Sequence, residues 1–105
     1  MPPLDINDQN FEREVMQSEV PVVVEFYSPK CTHCQRMVNA VDALSKELEG
    51  KVKVAKVNVL ENPLSSMKYE VTGIPAFFLI KDGIVTGSTL GAKPKGKLKR
   101  ELGLE

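Results

Sequence analysis

The run Val22-Val23-Val24-Glu25-Phe26-Tyr27 is apolar on both of its alternating faces except for one carboxylate. A β-branched and aromatic run of this kind predicts a strand at the centre of a sheet with helices on either side. It breaks at Ser28-Pro29. From Thr32 onward, Cys34, Met37, Val38, Val41, Leu44 and Leu48 recur at three- and four-residue steps. That spacing predicts one amphipathic helix closed by Gly50, with Gln35, Arg36, Asp42, Lys46, Glu47 and Glu49 on its outer face.

The flanking pattern supplies the other elements. Asn7 or Asp8 is a cap for a first helix bearing Phe11, Val15 and Met16, ending near Ser18 before Pro21. Lys51 to Val59 reads as a valine-rich strand, and Asn62-Pro63 starts a short helix to about Tyr69. Thr72-Gly73-Ile74-Pro75 is a turn into a strand from Ala76 to Ile80. Asp82-Gly83 then supplies the positive φ of a tight hairpin, and Ile84 to Leu90 returns. Gly91 ends that strand, and Pro94 starts a last helix through Leu98 and Leu102. An edge strand is expected near Leu4.

These elements make an α/β chain with a central mixed sheet of four to five strands and helices on both faces. At 105 residues it is expected to be a single domain, residues 1–105. Fourteen basic residues balance fourteen acidic ones, which gives no global bias toward nucleic acid. The lysines at 93, 95, 97 and 99, with Arg100, read as a solvated helix face. The first residues lack the basic and apolar regions of a signal peptide, and no apolar run reaches membrane length. The expectation is a cytoplasmic monomer with no membrane or nucleic-acid partner.

The only two cysteines, Cys31 and Cys34, stand where the central strand hands over to a helix start. Unpaired N–H groups and the helix dipole there favour thiolate, the reactive form of cysteine. A disulfide closing so short a ring would add about 2 kcal/mol of stability or less, so a structural role is weak. Haem attachment needs a histidine directly after the second cysteine, where Gln35 stands. One chain with two cysteines and a single histidine, His33, falls short of four zinc ligands, although a metal bridging two chains remains open. Dithiol redox chemistry without a cofactor is the leading reading. Within it, Glu25 is a carboxylate that burial would give a raised pKa, suiting it to accept a proton from Cys34. Lys56, a charge inside the next strand, is placed to lie beside Glu25 by parallel pairing.

Cys31-Thr32-His33-Cys34 within a βαβ unit, followed by Val54-Ala55-Lys56-Val57-Asn58, Gly73-Ile74-Pro75 and the Lys81-Asp82-Gly83 hairpin, resembles the thioredoxin family over nearly the whole chain. The resemblance implies the thioredoxin fold and thiol–disulfide exchange with protein disulfides, recharged by a reductase or another electron donor. It implies that Cys31 attacks and Cys34 resolves; the residue pattern agrees, since Cys34 begins the buried stripe. It implies a cis bond before Pro75, the Ile74 backbone opposite Cys31, and a shallow peptide groove completed by Gly73, Ile74 and Gly91.

Several departures from the family pattern matter for the site. Lys30-Cys31-Thr32-His33-Cys34 stands where Trp-Cys-Gly-Pro-Cys is usual, Tyr27 where tryptophan is common, and Asn39 where a kinking proline is usual. Glu25 replaces an aspartate. Lys30, Thr32 and His33 are therefore the residues expected to tune the pair. Histidine before the second cysteine also occurs in protein disulfide isomerase and periplasmic oxidants, which makes an oxidase or isomerase the rival enzyme. A non-catalytic module binding peptide or a shared metal is the rival from another class. Cytosolic poise favours reduction as the net direction.

Overall fold

A computed structural model describes residues 2–104; Met1 and Glu105 lie outside the described residues. Five strands form one sheet in the order β1-β3-β2-β4-β5: β1 Leu4–Ile6, β2 Val22–Tyr27, β3 Lys53–Asn58, β4 Ala76–Lys81 and β5 Ile84–Leu90. β3 runs parallel to β1 and β2, while β4 is antiparallel to both β2 and β5. The double-faced apolar run of β2 thus sits in the middle of the sheet, as its pattern requires.

The helices are α1 Thr32–Arg36, α2 Val38–Glu47, α3 Pro63–Lys68 and α4 Lys95–Leu102. α2 and α4 cover one face, where Met37, Val41, Leu44, Leu98 and Leu102 pack on Val23, Val54, Phe77 and Leu79. On the other face Phe11 and Val15 pack on Val22, Val24, Phe26, Ala55 and Val57, with Tyr69 just beyond α3 beside them. Asp82 and Gly83 both take positive φ, the hairpin geometry anticipated for Asp-Gly.

Four local features differ from the sequence expectation. The predicted active-site helix is interrupted at Met37, whose amide bonds the carbonyl of Cys34, one residue short of the α-helical partner. The interruption occurs without a proline, and it turns Val38 outward at 40% exposure rather than into the stripe. The first helical stretch opens with the Asn7 side chain accepting from the Asn10 amide and widens into a π-helical segment, Glu12–Met16, where the Gln17 amide donates to the Glu12 carbonyl five residues back. Asp8 instead serves α3, accepting from the amides of Leu64 and Ser65 and from the Ser65 hydroxyl. Finally, the lysine run is not simply solvated. Lys95 and Lys99 both hold Glu47 of α2, and Lys93 and Lys97 hold Glu101.

Candidate active site

The site forms at the carboxyl end of β2, where Ser28 turns the chain. The buried Ser28 accepts from the Lys30 amide through its hydroxyl at 3.1 Å and from the Cys31 amide through its carbonyl at 3.1 Å. The Gln35 side chain reaches back to donate to the Pro29 carbonyl at 2.9 Å. Strand, turn and first helical turn are therefore tied together by three bonds, and Cys31 occupies the N-cap of α1.

The two sulfurs differ in environment. Cys31 is half-buried and its sulfur accepts the Cys34 amide at 3.2 Å, whereas Cys34 is 4% exposed. Both are free thiols. Burial pushes the Cys34 thiol up to about 12. The hydrogen bond to Cys31 and the charge that Cys31 or Glu25 carries when ionised push the same way, against a bond from the Ser28 backbone.

Glu25 is 1% exposed and its Oε1 has no hydrogen-bond partner. Burial raises its carboxyl to about 7; Lys56 lowers it and Asp42 of α2 raises it. Its charge bears on Cys34, so the two groups share one electrostatic neighbourhood beneath α1. Lys56 lies in register with Glu25, but its ammonium rests over the Tyr27 ring, and no ion pair joins it to Glu25 among the described residues.

Opposite Cys31, the Ile74–Pro75 bond is cis, and the Cys31 sulfur stands 4.0 Å from the Ile74 carbonyl oxygen. The Gly91 amide donates to the Pro75 carbonyl at 2.8 Å, and Gly91 holds a left-handed φ of 97°. A side chain at Gly73 would press on Leu90. Gly73, Ile74, Pro75 and Gly91 are thereby brought to one wall facing Cys31. Lys30, Thr32 and His33 are exposed on the other side. Among the described residues no three His, Cys, Asp or Glu side chains gather into a metal-ligand set.

Several supporting residues carry no sequence signal. Ser28 and Gln35 fix the loop, and Asp42 adds charge near Glu25. Lys93 donates its amide to the Met37 sulfur at 3.3 Å and its ammonium to the Leu90 carbonyl at 3.2 Å, anchoring the Gly91 turn. A polar residue beside a glycine turn is too common a pattern to mark such a role in advance.

The thioredoxin family model matches residues 2–103. Thioredoxin 1 of Nostoc sp. is 38% identical over 97 residues, covering 92% of this chain and 91% of that protein. The thioredoxin of Haemophilus influenzae is 39% identical over 95 residues, covering 90% and 89%. That of Rickettsia conorii is 37% identical over 94 residues, covering 90% of each. With the similarity running through the sheet and both helical layers rather than through the Cys31–Cys34 loop alone, the chain belongs to the thioredoxin family.

Proposed function

We propose that Cys31 and Cys34 carry the thiol–disulfide oxidoreductase activity of this chain and that its net direction is reduction of protein disulfides. The asymmetry of the two thiols carries the assignment: one is partly open and faces the Ile74 carbonyl, the other is buried. The Cys31 thiolate attacks one substrate sulfur, breaking the substrate S–S bond and releasing the first substrate thiol, which takes a proton from water. The Cys34 thiol then loses its proton and attacks the Cys31 sulfur. This closes the Cys31–Cys34 disulfide and releases the second substrate thiol. Two electrons pass from the dithiol to the substrate.

Glu25 takes the Cys34 proton in the second step. In the free dithiol a thiol held at about 12 lies far above a carboxyl at about 7. Once the mixed disulfide forms, Cys31 no longer carries charge, and two of the causes that raise Cys34 disappear with it. Lys56 acts through Glu25, holding its carboxyl below the level that burial alone would set. Gly73, Ile74, Pro75 and Gly91 receive the substrate backbone, and Lys30, Thr32 and His33 tune the pair.

The acting species is a cytoplasmic monomer in which residues 1–105 work as one domain. No helix among the described residues is long and apolar enough to cross a membrane, which accords with this reading. The family implies disulfide-bearing protein substrates and a reductase partner. Insulin reduction driven by dithiothreitol tests the proposal: wild type should accelerate it, and Cys31→Ser should not. A wild-type protein that binds insulin without accelerating reduction would be a binding module. The exposed His33, at the second position of α1, favours the oxidising alternative, which the reduction potential decides.

A further inference from the structure

The rim around Cys31 carries its basic side chains on one side only. Lys30 precedes the nucleophile, while His33 and Arg36 stand three residues apart on one face of α1, and all three are exposed. No carboxylate occurs anywhere from Phe26 to Val41. Among the described residues, Lys30, His33 and Arg36 form no ion pair, whereas Lys53, Lys93, Lys95, Lys97 and Lys99 are each matched by a glutamate. Lys56 and Lys68 rest over aromatic rings. The facing wall at Thr72 and Gly73 carries Glu70 instead. The chain thus neutralises many of its cations and leaves Lys30 and Arg36, beside the nucleophile, unpaired.

We infer that the protein prefers disulfide-bonded polypeptides carrying aspartate or glutamate next to the cysteine that Cys31 attacks, with Arg36 and Lys30 as the specificity element. This rests on the oxidoreductase reading above and names the substrate class for it. Arg36 follows Cys31 by five residues, about 7 Å of helical rise. A carboxylate one or two residues from the reacting sulfur of an extended substrate lies within about 7 Å of that sulfur. With the substrate running along α1 the two spans lie side by side, which brings the carboxylate and Arg36 within the screening length of about 10 Å at moderate ionic strength. Such a contact acts on encounter and orientation, so it weakens with salt. Acidic flanks otherwise hinder exchange, because they repel an attacking thiolate and disfavour the departing one. A preference for them must come from the protein.

The test uses three peptides with one disulfide each, identical except for aspartate, serine or lysine beside the cysteines. The rate constant with reduced protein is divided by that with dithiothreitol, which removes the intrinsic effect of the flanks. Wild type should favour the aspartate over the lysine peptide about fivefold or more at low salt and less than about twofold near 500 mM NaCl. Arg36→Glu should reverse the order; because a ratio is read, any change in Cys31 reactivity cancels. A wild-type ratio near one at low salt, a ratio unmoved by salt, or one unchanged in Arg36→Glu overturns the inference while the oxidoreductase reading stands. Failure of wild type to reduce even the serine peptide overturns both.

Discussion

Glu25 and Lys56 sit side by side in register on parallel strands, yet the lysine turns to the Tyr27 ring, 4.5 Å from its centroid, and leaves the carboxylate Oε1 without a hydrogen-bond partner. A buried ion pair would have held Glu25 charged. Instead burial dominates and brings the carboxyl to about 7, where it can take up or give back a proton near neutrality. The strand pairing places a cation close enough to moderate the shift without cancelling it.

This arrangement makes stability depend on pH with a definite sign. The folded carboxyl binds its proton more tightly than the unfolded one at 4.5, so its contribution is fully present below pH 4.5 and is lost as pH rises through about 7. At 1.36 kcal/mol per pKa unit, the whole loss is about 3 kcal/mol. Glu25→Gln should remove it, so the variant gains on wild type by about that amount between pH 5 and 8 in urea unfolding. Parallel stability curves for the two proteins would show that Glu25 is not buried as an acid. The other shifted carboxyls, Glu47 among them, are lowered by lysines or hydrogen bonds and lose their contribution toward acid, so the comparison must be variant against wild type.

The division of labour between the thiols predicts distinct failures. Cys31→Ser should bring insulin reduction to the uncatalysed rate. Cys34→Ser should still attack, and should accumulate a mixed disulfide with substrate visible by mass spectrometry. Mixed disulfides trapped by Cys31→Ser through Cys34 would reverse the roles. Glu25→Gln should form the mixed disulfide at the normal rate and resolve it about tenfold or more slowly at pH 7.

Much of this was legible in the residues, and the exceptions have physical causes. Strand β2 declares itself because both its faces are apolar, and Asp82-Gly83 because only a few residues accept positive φ. The helix interruption at Met37 and the Lys56–Tyr27 contact are not readable, since both depend on how neighbouring layers pack. Lys93 and Gly87 are the same kind of case. A glycine inside a strand signals a close approach but does not say to what.

The approach at Gly87 is now specific. A Cβ there would lie 2.5 Å from the Leu102 carbonyl oxygen, and the obstacle is backbone. Gly87→Ala should therefore force α4 off β5 and cost about 2 kcal/mol or more, in the range of core overpacking. Thermal unfolding measures this directly. A melting temperature equal to wild type would mean that α4 moves away freely, and the Glu47 ion pairs to Lys95 and Lys99 would then contribute little to seating it.

Lys30 and His33 set the remaining expectation, which concerns the reduction potential. Only the dithiol state contains a Cys31 thiolate, so a cation or hydrogen-bond donor beside it stabilises the reduced protein and makes the disulfide more oxidising. Both side chains are exposed and make no ion pair among the described residues, so water screens them. Exposed charge pairs are worth under about 1 kcal/mol, which corresponds to at most about 20 mV for a two-electron couple. Lys30→Trp and His33→Pro should each make the potential more negative by an amount within that bound, measured by equilibration with a glutathione buffer. The Lys30 effect should shrink at high salt because it acts through charge. A His33 effect carried by hydrogen bonding should persist at high salt. Unchanged potentials in both variants would end the case that this site leans toward oxidation. Shifts far beyond the bound would mean that the two residues act on the disulfide form or the loop geometry rather than on the thiolate.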